Sequence, residues 1–149
     1  MNYSGMKVLI MGLGLHGGGL ESACYLIRRG AELSVTDLRD ETQLSPSIKQ
    51  LDEVCARFGG RAVRYVLGHH EIDDFKNADM VIKNPGVRPD SPYLQAARLV
   101  ETDISLFLAE NPAKLSAVTG SKGKSSVASA IHWVLEESGK NRIGSPDKT

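Results

Sequence analysis

The sequence predicts an α/β fold: a Rossmann-like, open, mostly parallel sheet with helices on both faces, followed by the truncated start of a P-loop domain. Short apolar runs alternate with stretches of helical periodicity. A glycine-rich turn, Gly12–Gly17, follows the first apolar run, and a second turn, Gly120–Gly123, follows the last one. We therefore expect a nucleotide-binding domain over residues 1–110 and the beginning of a second domain over residues 111–149.

The composition is typical of a folded globular chain, because 41% of the 149 residues are hydrophobic and 24% are charged. The 18 Lys and Arg residues balance 18 Asp and Glu residues and are scattered, so we expect no nucleic-acid partner. No apolar run approaches the roughly 18 residues of a membrane span, so no membrane partner is expected. Cys24 and Cys55 lack metal-ligand spacing and are expected to be reduced core residues of a cytoplasmic protein.

The first elements form a predicted βαβ unit. The apolar run Lys7–Met11, closed by a glycine, predicts a buried parallel strand. A helix follows, because apolar residues recur with offsets of 0, 3, 4 and 7 at Leu20, Ala23, Cys24 and Ile27. Gly30 is placed to end that helix, and Leu33–Thr36 predicts the second strand.

The next segment predicts a polar loop and a second helix. Residues 38–45 are expected to be the loop, with Ser45 as N-cap and Pro46 at the first helical position. The apolar face of this helix runs to Phe58, and two glycines stop it.

Two further strands are predicted at Ala62–Val66 and Asp79–Lys83. The turn Asn84–Gly86 ends the later strand, and Ser91–Pro92 opens another short helix. His69–Glu71 lies between the two strands and is expected to be a surface turn, because adjacent residues seldom converge on one metal ion.

The last part of the chain predicts a strand at Leu115–Thr119, a glycine turn and one helix. Apolar residues form a helical stripe at Val127, Ala130, Ile131, Val134 and Leu135. Trp133 is expected to pack beside this stripe. One strand and one helix are few for a sheet of about five or six strands, so the remainder of this domain is expected to be absent. The stripe therefore predicts association with a partner.

The first glycine turn, Gly12–Gly17, fits G-x-G-x-x-G between a strand and a helix. Backbone amides and the positive end of the helix dipole favour a phosphate there. Asp37 follows 20 positions after Gly17, where a carboxylate accepts from the ribose hydroxyls of NAD. Together with Arg39, Asp37 could instead form hydrogen bonds to the edge of a nucleotide base. A glycine turn without a ligand and a solvated loop at 37–40 are the alternative interpretations.

The second glycine turn fits G-x-x-G-K-S, a shorter phosphate loop than the full Walker A motif because Val118 stands where that motif has glycine. The candidate ATP-binding residues are Gly120, Ser121, Lys122, Gly123, Lys124, Ser125 and Ser126. Backbone amides would cradle phosphate, Lys124 would lie against the β and γ phosphates, and Ser125 would offer its hydroxyl to Mg²⁺.

Together these motifs resemble the Mur ligases of bacterial peptidoglycan synthesis, and within that family the enzymes that add D-glutamate. The stretches that carry the resemblance are Gly12–Gly17, Asp37 and Arg39, Asn84–Val87, Thr102–Phe107 and Thr119–Ser126. The resemblance implies binding of the uridine diphosphate part of UDP-N-acetylmuramoyl-L-alanine, with D-glutamate as second substrate and with ATP and Mg²⁺ as cofactors. The L-alanine carboxylate would be phosphorylated to an acyl phosphate, which the amine of D-glutamate attacks.

The resemblance also implies residue roles. Gly14, Leu15 and His16 would meet the diphosphate, and Asp37 and Arg39 the uracil. The opposite side of the nucleotide would meet Asn84, Pro85 and Gly86. Lys124 would be the catalytic residue of the phosphoryl transfer, and Ser125 the magnesium ligand.

Three residues depart from the family pattern: Ser105 replaces a glutamate, Lys122 an asparagine and Ser126 a threonine. The family's remaining ATP-binding and glutamate-binding parts have no counterpart in this sequence, so we expect a fragment that binds nucleotide without completing ligation. Two alternatives stay open: a self-contained NAD-binding regulatory module and a non-catalytic interaction protein.

Overall fold

The computed structural model describes residues 2–15, 18–59 and 61–139. The chain divides into two compact units, Met1–Asn111 and Pro112–Thr149, which we call unit 1 and unit 2. The strands among the described residues lie in unit 1 and are β1 (Lys7–Met11), β2 (Glu32–Asp37), β3 (Arg64–Leu67), β4 (Met80–Lys83) and β5 (Val100–Glu101). The helices are α1 (Gly18–Arg28), α2 (Glu41–Phe58), α3 (Ile72–Asn77), α4 (Pro92–Gln95), α5 (Asp103–Glu110) and, in unit 2, α6 (Lys124–Glu137).

The strands of unit 1 form one parallel sheet in the order β3-β2-β1-β4-β5. In the centre Val8 of β1 pairs with Leu33 of β2 on one side and with Met80 of β4 on the other. The strand order reverses at β1 and β4, which opens a crevice at the carboxyl ends of these strands. The predicted Rossmann-like α/β class is confirmed.

Side chains of β1 alternate between two apolar layers, which is why helices cover both faces of the sheet. Val8 and Ile10 pack with residues of α1 and α2 in the larger cluster. Leu9 and Met11 point to the other face and pack with residues of α3 and α4, including Phe75. These β1 residues are 0 to 3% exposed, so the strand that carries the first glycine turn is fixed from both sides.

The second helix begins earlier than its sequence signal indicates. Asp40 is the N-cap, because its carboxylate accepts from the Gln43 backbone N–H at 2.8 Å while the Gln43 side chain accepts from the Asp40 N–H at 3.2 Å. This capping box satisfies two donors before Ser45 is reached. The expected N-cap at Ser45 is therefore wrong, and Pro46 lies inside the helix.

The other differences in unit 1 concern short elements. β3 begins at Arg64 rather than Ala62, and β4 begins one residue later than predicted. The sequence pattern does not predict α3, β5 or α5. With six, two and eight residues, these elements are too short to establish a clear period, and their places are set by the sheet they pack against.

Unit 2 contains the predicted final helix, α6, but not the predicted strand. Residues 115–119 form no strand in the described part of the chain. A strand exists through hydrogen bonds to a neighbour, and apolar character at 115–119 does not supply one. Instead Ser116 and Val118 line a groove with Ile131 and Leu135 of α6.

The apolar stripe of α6 is open to solvent in unit 2. None of the residues of α6 is buried, and Val134 is 56% exposed. Trp133 is 62% exposed, so its expected packing role is wrong. Association through this stripe stays a prediction. No helix in the described residues is both long and apolar enough to cross a membrane.

Candidate functional site

A cleft lies in unit 1 at the carboxyl ends of β1, β2 and β4. Its volume is about 390 Å³, and it is lined by Met11, Gly12, Asp37, Leu38, Arg39, Gln43, His70, Asn84, Gly86 and Val87. This is the place where open parallel sheets bind ligands, because the strand order reverses there. The structure therefore brings Gly12 of the first glycine turn together with the predicted residues Asp37, Arg39, Asn84 and Gly86 in one cleft.

The glycine turn needs glycine at two described positions. Gly12 and Gly14 have φ values of +91° and +69°, which a side chain would strain. A Cβ atom on Gly12 would also lie 3.0 Å from the Cβ of Asn84. Leu15 follows with 41% of its surface exposed. His16, together with Gly17, lies outside the described residues.

Gly19 supports the glycine turn by close packing, a role that the sequence motifs do not predict. A Cβ atom there would lie 2.1 Å from the carbonyl oxygen of Gly12 and 2.7 Å from that of Leu13. Glycine at this place lets the first turn of α1 approach the backbone of the glycine turn. The run of three glycines at 17–19 carried this signal, since close helix packing is a known reason for glycine in such motifs.

Asp37 ends β2, and its carboxylate bonds to both the glycine turn and the loop that contains Arg39. Its side chain is 6% exposed. One oxygen, Oδ2, accepts from the Gly14 backbone N–H at 3.3 Å, and the other, Oδ1, accepts from the Arg39 N–H at 3.0 Å. The Arg39 guanidinium lies 3.7 Å from Oδ2 and keeps half of its side chain exposed. The carboxylate thus organises the cleft, and the half-exposed Arg39 guanidinium is the cationic group that lines it.

Asn84 forms the opposite wall. Its backbone N–H donates to Met11 O at 3.0 Å, which continues the β1–β4 ladder by one bond. Its side-chain oxygen accepts from the Gly86 N–H at 3.0 Å, so Pro85 sits at the tip of a tight turn. Val87 closes this turn by donating its N–H to Asn84 O at 2.9 Å.

His70 is a cleft residue that the sequence motifs do not predict. It was expected in a surface turn, yet its half-buried ring lines the cleft and lies edge-on to Phe75 and Tyr93, with centroids 6.0 and 5.2 Å away. Its Nδ1 is 2.7 Å from the hydroxyl of Thr36. Burial lowers the pKa of His70 below 6.5, against the opposing charge of Asp37. The packing partners are distant in sequence, so no local pattern identified this residue.

The second glycine turn, in unit 2, leads directly into α6. Gly120 and Gly123 have φ values of +149° and +76°, and Gly123 is the N-cap of α6. The Lys124 ammonium folds back and donates to Gly120 O at 2.6 Å. Ser125 follows in the first turn of the helix. Successive amides of such a turn form a concavity that suits an anion.

The loop residues of unit 2 are all exposed, including Ser121, Lys122, Lys124, Ser125 and Ser126. A serine hydroxyl is a hard oxygen ligand that suits Mg²⁺, which keeps several waters and binds substrate phosphates. The chemistry of Ser125 therefore fits the implied ion. Among the described residues, no group of three His, Cys, Asp or Glu side chains could hold a metal.

The comparisons with known proteins agree on the character of unit 1. Residues 6–105 match the family model described as Mur ligase MurD-like, N-terminal domain. The UDP-N-acetylmuramoylalanine–D-glutamate ligase of Borreliella burgdorferi strain ZS7 is 50% identical over 132 residues, covering 89% of this chain and 28% of that protein. The ligase of the same name from Treponema pallidum strain Nichols is 49% identical over 140 residues, covering 91% of this chain and 25% of that protein.

Among solved structures, a pseudomurein peptide ligase type C from Methanothermus fervidus matches 90% of this chain and 26% of its own, with 19% identity and a TM-score of 0.50. At that identity the match supports the fold alone. The chain thus spans about a quarter of the length of the relatives described above.

Proposed function

We propose, from the premise that this chain belongs to the Mur ligase family and carries its MurD-like N-terminal domain, that unit 1 binds the uridine diphosphate part of UDP-N-acetylmuramoyl-L-alanine. The chain would be the N-terminal part of a ligase that adds D-glutamate to this substrate, as the names of its relatives indicate. The observation that carries the proposal is the family match over residues 6–105, which contains every residue of the cleft.

We propose roles for the residues around the cleft in binding the parts of the nucleotide. The glycine turn directly precedes α1, and helix N-termini favour phosphate, so Gly14, Leu15 and His16 would meet the diphosphate. The guanidinium of Arg39, steadied by Asp37, would donate to the uracil carbonyls. The turn of Asn84, Pro85 and Gly86 would close the other side.

Unit 2 would contribute to the ATP site of the whole ligase. Lys124 would leave Gly120 O for the β and γ phosphates and stabilise the charge of the transferring phosphoryl group. Ser125 would hold Mg²⁺, which supplies further charge stabilisation when bound. The L-alanine carboxylate would attack the γ phosphorus and release ADP; the D-glutamate amine would then attack the acyl carbon and release phosphate.

Isothermal titration calorimetry of the chain tests the binding proposal. We expect UDP-N-acetylmuramoyl-L-alanine and UDP to bind and NAD not to bind. Arg39→Ala should weaken UDP binding about tenfold, the effect of losing roughly one charge-assisted hydrogen bond. Arg61→Ala is the matched control, because Arg61 is 79% exposed and pairs with Glu32, outside the cleft. Binding of NAD with no response to UDP would contradict the proposal.

A self-contained NAD-binding regulatory module is not favoured. Its strongest support was the carboxylate at the end of β2, where NAD-binding domains hold the ribose. In this structure both Asp37 oxygens accept from backbone N–H groups of the chain itself, at Gly14 and Arg39. The family match also indicates a ligase domain rather than a dehydrogenase.

A further inference from the structure

We propose that His70 contacts the nucleoside bound in the cleft and accepts one hydrogen bond from it at Nε2, while its Nδ1–H is donated to Thr36. This inference rests on the proposed binding of a uridine nucleotide. The donor would be an N–H or O–H group of the nucleoside, which means the uracil imide or a ribose hydroxyl.

The tautomer of His70 follows from the hydrogen bonds of Thr36. That hydroxyl has one proton and two contacts: His69 O at 3.1 Å and His70 Nδ1 at 2.7 Å. A carbonyl oxygen can only accept, so the Thr36 proton goes to His69 O. Both contacts are then satisfied only if Nδ1 carries a proton and donates it. Thr36 is 0% exposed, so leaving either contact unmade would be unfavourable.

Nε2 is therefore the acceptor of the neutral ring. It has no hydrogen-bond partner within residues 2–15, 18–59 and 61–139. Nor does it belong to the buried polar atoms without a partner, which in those residues are Tyr25 Oη and Asp74 Oδ2. Because His70 lines the cleft while Phe75 and Tyr93 flank its ring, we infer that the lone pair of Nε2 is available to a ligand in the cleft.

His70 would supply a hydrogen-bond acceptor in a cleft where Arg39 supplies donors. Arg39 offers only donors, and the Asp37 oxygens already accept from two backbone groups. A uridine nucleoside has donors of its own, which need acceptors once they leave water. Burial of the ring lowers the pKa of His70 and so keeps the accepting lone pair at neutral pH.

Two substitutions distinguish the role of Nδ1 from the role of Nε2. His70→Asn keeps a donor near the position of Nδ1 but removes the acceptor, and His70→Gln places an amide oxygen near the position of Nε2. We expect His70→Asn to weaken UDP binding about three- to tenfold, the range of one neutral hydrogen bond, and His70→Gln to restore most of it. His69→Asn is the matched control, because the exposed His69 side chain lies outside the cleft.

Calorimetry with UDP analogues identifies the donor. If Nε2 accepts from a ribose hydroxyl, 2′-deoxy-UDP or 3′-deoxy-UDP should bind wild type and His70→Asn equally; if it accepts from the imide, 3-methyl-UDP should do so. Equal losses for UDP and all three analogues would mean a merely structural role and overturn the proposal, as would wild-type affinity of His70→Asn. If the unaltered chain binds no UDP, the proposed function itself is wrong. If the unaltered chain binds UDP and His70→Asn binds it equally well, only the role of His70 is wrong.

Discussion

The two glycine turns of this chain look alike in sequence and differ in what supports them. In unit 1, Gly12 and Gly14 bond to β2, and Gly14 O accepts from Ser47 of α2 at 2.8 Å. In unit 2, the described hydrogen bond across the loop comes from the exposed Lys124, and no residue of the following helix is buried. A phosphate-binding motif therefore specifies local backbone form, while rigidity comes from the packed elements around it.

Alanine substitutions of glycine should show the largest difference between the two turns. Gly19→Ala would place a Cβ atom 2.1 Å from Gly12 O, a backbone atom that β1 and β2 hold in place. We expect it to lower the free energy of unfolding of unit 1 by about 3 kcal/mol or more. Urea unfolding followed by circular dichroism measures this loss.

The matching change in unit 2 is Gly123→Ala. Its φ of +76° strains alanine, but no atom lies within 4 Å of the added Cβ. The local cost is about 1 kcal/mol, and the unfolding midpoint of unit 1 should not move. If Gly19→Ala were as mild as Gly123→Ala, the rigid support claimed for the first turn would be wrong.

Leucine-to-alanine substitutions in α2 and α6 test the same contrast away from the turns. Leu51 of α2 is 0% exposed in the main core, whereas Leu135 of α6 is 39% exposed. Leu51→Ala should lower the free energy of unfolding by about 2 to 3 kcal/mol, and Leu135→Ala by less than about 1 kcal/mol. Chemical denaturation of both variants checks this. A large loss for Leu135→Ala would show that the stripe of α6 is covered in solution, for example by a partner.

The sequence predicted β1, α1 and β2 within a few residues, because apolar periodicity is clear there. It failed where structure depends on distant partners. The predicted strand at 115–119 has no neighbour to pair with among the described residues, and His70 acquires its place from Phe75 and Tyr93. The cleft residues Asp37, Arg39 and Asn84 could be found from motif spacing, but the inward role of the Asp37 carboxylate could not, because spacing does not indicate where a side chain points.

Substitution of the buried Asp37 carboxylate should have an intermediate effect on the stability of unit 1. Asp37→Asn keeps the shape of the side chain but weakens its bonds to the Gly14 and Arg39 amides and its attraction for the guanidinium. We expect a loss of about 1 to 3 kcal/mol in the stability of unit 1, together with weaker UDP binding. Asp73→Asn is the control, since Asp73 is 75% exposed and pairs with Lys76 on the surface. Equal unfolding curves for the two variants would remove the organising role assigned to Asp37.

The smallest effect should appear in the pH dependence of unit 1. Burial holds the pKa of His70 below its ordinary value of 6.5, although the Asp37 charge opposes this shift and His69 reinforces it. The rings of Phe75 and Tyr93 pack against the imidazole. The unfolded chain therefore binds the His70 proton more readily than the folded chain does. Stability linked to His70 is complete above pH 6.5, is lost as the pH falls from 6.5 to the lowered pKa, and then stays constant. Urea unfolding across this window should show a decline that His70→Phe lacks. An identical decline in that variant would assign the titration to another group. Unit 2 has no buried histidine among its described residues, so its stability should show no such decline.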